Sequence, residues 1–83
     1  MLLQVPNGPA VKVERAVGES VLLVNQSGTD VYFDSDVMRM NRTAPGVVPD
    51  GTKIAAGGSQ VINSWSVPLY FRAVAATTLE VQP

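Results

Sequence analysis

The chain of 83 residues contains no cysteine and no histidine. The absence of cysteine excludes disulfide bonds, and the absence of both residue types removes the usual ligands of a metal site. It also excludes the serine–histidine and cysteine–histidine pairs of common nucleophilic hydrolases, and no motif supports a serine–lysine or threonine nucleophile. The sequence therefore predicts a protein that is not an enzyme and that binds no cofactor and no metal.

Charge is equally sparse, with six basic and seven acidic residues, a formal net charge of -1, and no block of like charge. Binding to duplex nucleic acid needs clustered lysine and arginine side chains, so we expect no direct contact with nucleic acid. No apolar run reaches membrane-spanning length, and the first residues, MLLQVPNGP, lack the basic and apolar regions of a signal peptide. We therefore expect no membrane contact, and synthesis in a cytoplasm.

The short length predicts a single domain with a marginal core. A domain of this size buries only about 60% of the surface of its unfolded chain. Small domains are commonly reinforced by disulfides, metals or association, and the first two are excluded here. Association with other protein is the remaining reinforcement.

The pattern of apolar residues predicts an all-β fold. β-Branched residues alternate in short runs, and glycine or proline recurs roughly every eight to twelve residues. This spacing predicts a small antiparallel β-sandwich of about six or seven strands. Two runs, SVLLVNQ and DVYFDS, are separated by a short turn, so we expect residues 20–25 and 30–34 to form a hairpin.

The stretch AAGGSQV has two possible roles, a phosphate-binding loop or a turn between strands. A phosphate loop requires a following helix and usually a lysine just behind the last glycine. The residues that follow are SQVINSW, which alternate as a strand and contain no lysine. We therefore predict a hairpin turn at Gly57 and Gly58 that tolerates a positive φ.

Two segments do not fit regular strands: an extended N-terminal arm at residues 1–9, preceding a sandwich domain at 10–83, and a long loop at 36–51. Pro6, Gly8 and Pro9 interrupt any ladder, so we expect Met1 to Val5 to pack loosely and to be free to add a strand to a neighbour. The loop carries two prolines and two glycines, with one helical turn expected at 37–41.

Both segments contain apolar residues where polar ones are expected. The apolar residues of the loop have two compatible interpretations, as a cover over an open end of the sandwich or as a contact surface with arginines at its rim. The predicted partner-binding residues are Met1, Leu2, Leu3, Val5, Val37, Met38, Arg39, Met40 and Arg42.

Aromatic and acidic residues offer two alternatives to a purely structural role. Trp65 with Tyr32 and Tyr70 could form a sugar-stacking platform, although strand aromatics more often belong to the core or its margin. The aspartates at 30, 34, 36 and 50 could collect calcium, although aspartates at turns commonly cap backbone amides.

Three stretches, LLVNQSGTDVYFDSD, PDGTKIAAGGSQVIN and PLYFRAVAATTLEV, together resemble small accessory proteins of tailed bacteriophage virions. The resemblance covers about residues 20–83 and carries over no catalytic residue. It implies a capsid decoration or head-associated protein, or a small tail or neck component, that is present in the virion in symmetric copies as a homo-oligomer. The partner would be the major capsid protein or another virion structural protein. A glycan-binding module of a tail or spike is the alternative. The matching positions are Asn25, Gly28, Val31, Tyr32, Gly51, Ile54, Gly57, Ser59, Leu69, Tyr70 and Ala73.

Overall fold

The computed structural model contains eight β-strands and one short helix. The strands form two antiparallel sheets, sheet A in the order β1-β8-β3-β6 and sheet B in the order β2-β7-β4-β5. The predicted all-β antiparallel sandwich is confirmed, with one more strand than the upper expectation. The elements are β1 Leu2–Val5, β2 Val11–Val13, β3 Val21–Val24, β4 Val31–Asp34, α1 Val37–Met40, β5 Thr52–Ile54, β6 Ser59–Ile62, β7 Leu69–Ala73 and β8 Thr77–Gln82.

Strand pairing follows a simple rule along the chain. β1 pairs with β8, β2 with β7, β3 with β6 and β4 with β5, and two further ladders, β3 with β8 and β4 with β7, complete the sheets. The chain is therefore one long hairpin, with the 35–51 connection at its tip, wound so that most consecutive strands lie in opposite sheets. This is the strand order of a jelly roll.

The predicted hairpin of residues 20–25 and 30–34 is wrong, because β3 lies in sheet A and β4 in sheet B. The strands joined by the glycine pair, β5 and β6, also lie in different sheets. The turn itself is confirmed: Gly57 has a φ of +79°, and the Gly58 amide donates to the Ala55 carbonyl at 2.8 Å. Short turns here therefore carry the chain across the sandwich instead of reversing it within a sheet.

The fully buried Asn25 explains this crossing. Its side-chain Nδ2 donates to the carbonyls of Thr29 at 2.9 Å and Ile54 at 3.0 Å. Its backbone carbonyl accepts from Gly57, and its backbone amide donates to Gly58. These bonds hold the β3–β4 and β5–β6 connections against each other at one end of the sandwich.

The core lies between the sheets and consists of alternate residues of each strand. In β3, for example, Val21 and Leu23 are buried, whereas Leu22 and Val24 point outward and are partly exposed. Phe33 and Phe71 stack at the centre, with ring centroids 5.6 Å apart. The twelve core residues are Val5, Val13, Val21, Leu23, Val31, Phe33, Ile54, Trp65, Phe71, Ala73, Leu79 and Val81.

The segment predicted to be a loose N-terminal arm is an integral strand. β1 pairs with β8 over its whole length, and Val5 is only 1% exposed. Pro6 follows the strand and so does not interrupt its ladder. Because Leu3 and Val5 point toward the core, the sandwich includes the first residues, and the predicted boundary at residue 9 is wrong.

The 36–51 loop covers the outer face of sheet B, not an open end of the sandwich. The Asp36 carboxylate caps α1 by accepting from the amides of Met38 at 3.0 Å and Arg39 at 3.3 Å, which confirms the predicted helical turn. The helix packs against β4 and β7, and Met40 is completely buried beneath it.

Arg72 points outward from β7 but is only 1% exposed, because the loop lies over it. Its Nε donates to the Asn7 carbonyl at 3.0 Å, and its Nη1 to the Met40 carbonyl at 2.8 Å and the Thr43 hydroxyl at 3.0 Å. Its Nη2 donates to the Ala44 carbonyl at 2.5 Å. All these acceptors are neutral, so the guanidinium is solvated by protein dipoles and ties the loop to the sheet.

Replacing this guanidinium is expected to loosen the loop. We predict that Arg72→Met lowers the free energy of unfolding by about 2–3 kcal/mol, because the carbonyls that it serves lose charge-assisted bonds. Urea denaturation measures this loss. The exposed Arg39, 3.6 Å from Asp34, is the control, and Arg39→Met should cost less than about 0.5 kcal/mol. Equal losses of unfolding free energy in the two variants would contradict the role of Arg72 as the anchor of the loop.

Gly51 provides a second test of the same packing. Its φ is +141°, and an added Cβ would lie 2.8 Å from the Phe33 carbonyl oxygen and 2.9 Å from the Met40 sulfur. Gly51→Ala should therefore destabilise the fold by about 1–3 kcal/mol. Gly28 has open space around it, and Gly28→Ala should stay within about 1 kcal/mol of the wild type in the same denaturation experiment.

Candidate protein-docking surface

The outer face of sheet A is uncovered. Leu2 and Val61, at its two edges, are 58% and 52% exposed, and Leu22 and Val24 lie between them on β3. In the strand register, Glu80 has Leu2 on one side and Val24 on the other. The residues that point outward on this face are Leu2, Gln4, Leu22, Val24, Ser59, Val61, Thr78, Glu80 and Gln82.

This face is almost free of charge. Glu80 is the only charged residue in the four strands of sheet A, and its carboxylate lies 3.2 Å from the Met1 ammonium group. In sheet B every strand carries one charged residue: Lys12, Asp34, Lys53 and Arg72. Depletion of charge distinguishes the centre of a protein interface from the rest of a surface. Sheet A therefore has the composition of a contact surface.

The edge strands show the same contrast. Lys12 lies in the middle of β2 and Lys53 in the middle of β5, so both edges of sheet B carry a lysine. A hydrogen bond from Lys12 to Glu14, at 3.1 Å, raises the pKa of the lysine and favours its charged form. The edge strands of sheet A, LLQV and SQVI, have no charged residue. Charged edges discourage pairing with other strands, so only the edges of sheet A lack this protection.

The predicted partner-binding residues divide into two groups on opposite sides of the sandwich. Met1 and Leu2 are exposed beside sheet A, whereas Leu3 is partly buried against the core. The other group lies on the loop over sheet B: Val37, Met38, Arg39 and Arg42, of which Met38 is 80% exposed.

Two of the predicted contact residues are not on the surface. Val5 and Met40 are 1% and 0% exposed, so neither can contact a partner while the chain is folded. Val5 is buried because β1 is a strand, and Met40 because α1 lies on sheet B. Arg39 and Arg42 are exposed as expected, and they form surface ion pairs with Asp34 at 3.6 Å and Asp50 at 3.3 Å.

Sequence reasoning missed three residues of the surface: Leu22, Val24 and Val61. A continuous apolar run such as VLLV is typical of a strand covered on both faces, whereas only one face of β3 is covered. The signal in the sequence was that both faces of β3 are apolar, although the chain is too short to provide a further layer that would cover the second face. Such a strand indicates either a third layer or an intermolecular contact.

The aromatic residues do not form a sugar-binding platform. Trp65 is 2% exposed and belongs to the core, which confirms the core interpretation, and its Nε1 has no hydrogen-bond partner. Tyr32 and Tyr70 lie on the outer face of sheet B, where Tyr32 faces Arg72 and Tyr70 faces Lys12. No exposed Trp65 ring is therefore available to act together with them.

Aspartates at the turns accept hydrogen bonds from backbone amides, as their positions in the sequence indicate. Asp34 accepts from the Asp36 amide at 2.9 Å, and Asp30 accepts from the Ala56 amide at 2.9 Å. No group of three or more acidic side chains is placed to hold a metal ion. The capping interpretation is confirmed for Asp36 at the start of α1.

The end of the sandwich near Trp65 depends on a charged turn. The Glu19 carboxylate accepts from Arg15 Nε at 3.1 Å and from the Ala16 amide at 3.2 Å. The Gly18 amide donates to the Trp65 carbonyl, and the Trp65 amide donates to the Glu19 carbonyl. The hydrogen bond from Arg15 is the main cause that lowers the pKa of Glu19.

This pKa shift predicts an acid-sensitive contribution to stability. Because folding lowers the pKa of Glu19, the pair stabilises the fold fully above the unfolded value of 4.5 and loses its contribution as the pH falls from there toward the lowered value. Glu19→Gln should therefore lower the melting temperature at neutral pH, and its difference from the wild type should shrink as the pH falls below 4.5. Arg15→Gln should give the same profile. Differences from the wild type that do not change with pH would contradict the role of this pair.

Comparison with known proteins adds no identification. No protein-family model matches this chain, and no significant match is found among curated proteins or among solved structures. No helix of the structure is long and apolar enough to cross a membrane, and the single helix has four residues. The uncovered face of sheet A, with Glu80 as its one charged side chain, is therefore the feature on which a functional proposal rests.

Proposed function

We propose that this chain is a non-catalytic structural protein of a virion that binds neighbouring capsid subunits, as a decoration, cement or head-associated protein. The observation that carries the proposal is the uncovered face of sheet A, in which the one charged side chain is already paired. A face that exposes apolar side chains and carries little charge is suited to contact with another protein.

The energetics of this face favour docking. Leu2, Leu22, Val24 and Val61 would lose exposed apolar area on binding, worth about 25 cal/mol per Å² before the costs of ordering. The Glu80 carboxylate would keep the Met1 ammonium group as its partner, which offsets part of the cost of desolvating it. A domain with a small core would also gain stability from the bound state.

Exposed apolar side chains on the opposite side provide a second contact. Met38, together with Val37, projects from the loop over sheet B, and Arg39 and Arg42 flank it. A molecule with contact surfaces on two opposite sides can touch two different neighbours. That arrangement suits a cementing protein better than a protein with a single binding site.

The choice of a virion rests on the sequence resemblance to accessory proteins of tailed phages. The jelly-roll strand order is compatible with it, since this architecture occurs in viral capsid domains, although it also occurs in lectins and cupins. The glycan-binding alternative depends on an exposed Trp65, and Trp65 is buried.

The proposal predicts that the chain is present in repeated copies in purified virions of the phage that encodes it. Adding the purified protein to particles that lack it should restore full occupancy. Val24→Lys and Val61→Lys should each weaken binding at least tenfold, about 1.4 kcal/mol, because a lysine would be desolvated in the contact.

The matched control is Val17→Lys, which places the same charge at an apolar residue that is 84% exposed and lies outside sheet A. It should bind like the wild type, and thermal denaturation should show that all three variants are folded. Absence of the chain from virions, or full binding by both sheet A variants, would refute the proposed function.

A further inference from the structure

We propose that the free edge of β1 pairs with β1 of a second copy of this chain, antiparallel and across a two-fold axis at Leu3. This inference rests on the proposed structural role, because it names the partner at one edge of the same sheet. The two copies would then join their sheets A into one continuous sheet of eight strands, twice the four of a single copy.

The direction of the backbone groups defines what β1 offers at its edge. Met1 and Val81 exchange both of their hydrogen bonds, at 2.9 Å and 2.8 Å. In an antiparallel ladder such pairs alternate with pairs that do not bond, so Leu3 and Val5 also face β8. The amides and carbonyls of Leu2 and Gln4 therefore point away from the sheet and are available to another strand.

These groups select one register. When Leu2 of one copy lies opposite Gln4 of the other, all four outward groups of each strand are used and four intermolecular hydrogen bonds form. Placing Leu2 opposite Leu2, or Gln4 opposite Gln4, allows about two such bonds. The favoured register puts Leu3 opposite Leu3 on the symmetry axis, in a pair that does not hydrogen-bond.

The two ends of β1 are complementary in the same register. At its C-terminal end lies a groove of about 530 Å³, lined by Gln4, Val5 and Pro6, by Val11 of β2 and by residues 76–78, with no charged side chain. At its N-terminal end, Met1 and Leu2 are 55% and 58% exposed. The two-fold axis would place these side chains beside the groove of the other copy, which makes the contact self-complementary.

The other edges are less suited to this pairing. β2 and β5 each carry a lysine, and bringing two copies of the same lysine edge together would oppose like charges. On β6 the Val61 carbonyl already accepts from the Gln60 side-chain amide at 3.2 Å. Only β1 combines an uncharged edge with a neighbouring groove that has no charged side chain.

The contact is small, which sets the expected affinity. Two strands of four residues and one groove on each copy bury less than the roughly 1,600 Å² of a standard interface. We therefore expect a dimer that dissociates on dilution and is populated at high protein concentration. In a symmetric particle, local concentration would favour it.

Disulfide cross-linking tests the register, since the chain has no native cysteine. Leu3→Cys should oxidise readily to a covalent dimer, because paired residues of this type have Cα atoms about 4.5 Å apart, within the range that a disulfide spans. Leu2→Cys is the matched control, since its two copies would be offset by about 7–8 Å. Val61→Cys tests the opposite edge. Faster cross-linking of either control than of Leu3→Cys would overturn the proposal.

A second variant tests the contact without altering the core. Gln4→Pro removes an outward amide and leaves the bonds to β8 in place, so its melting temperature should stay close to that of the wild type. Sedimentation, with any tag at the C-terminus, should show dimer in the wild type up to about 1 mM and at least tenfold weaker association in Gln4→Pro. Val61→Lys should dimerise normally.

The outcomes separate this inference from the proposed function. A wild type that stays monomeric at these concentrations, or a Gln4→Pro variant that associates as well as the wild type, overturns the dimer. The chain could stay monomeric in solution, still occupy particles, and cross-link there through Leu3→Cys to a different protein. In that case the β1 edge binds that protein, and the proposal that it pairs with a second copy of this chain is wrong. A Val61→Lys variant that dimerises and also fills particles normally would leave the dimer standing and count against docking through sheet A.

Discussion

The buried guanidinium of Arg72 is the interaction on which the asymmetry of this molecule depends. It collects the carbonyls of the 6–9 and 36–51 connections onto the outer face of β7. Together with the contacts of the Asp34 carboxylate with the Asp36 amide and with Arg39, these bonds fasten the longest loop of the chain to sheet B. One face of the sandwich is therefore covered by the chain itself, whereas the outer face of sheet A is uncovered.

The distribution of charge follows the same division. Sheet B is covered by the 36–51 loop and bordered by lysines, and each of its strands carries one charged residue. Sheet A has neither a cover nor a charged edge. The outer face of sheet A exposes Leu2 and Val61, and exposed apolar side chains that lie close together favour contact with other protein. The proposed docking through sheet A would bury this face, and the proposed pairing at β1 would cover its unprotected edge.

The sandwich closes through contacts that are distant in the sequence. Its ladders join the first strand to the last and the second to the seventh, and Asn25 holds two crossings together where a hairpin would have been possible. The turn at Gly57 is compatible both with a hairpin within one sheet and with a crossing between the two sheets, because both can use a glycine with a positive φ. Which sheet a strand joins depends on how the apolar faces of all the strands pack together, and this packing is a property of the whole fold.

Local chemistry determined the parts of this protein that depend on neighbouring residues: the all-β class, the turn at Gly57, the helical turn capped by Asp36 and the core position of Trp65. The tertiary structure alone decided the pairing of strands, the incorporation of β1, the burial of Met40 and Arg72, and the choice of sheet A as the open face. Alternation with a period of two shows which residues of a strand share a face. It does not show which strand lies alongside or what covers that face, because these depend on contacts between residues far apart in the chain.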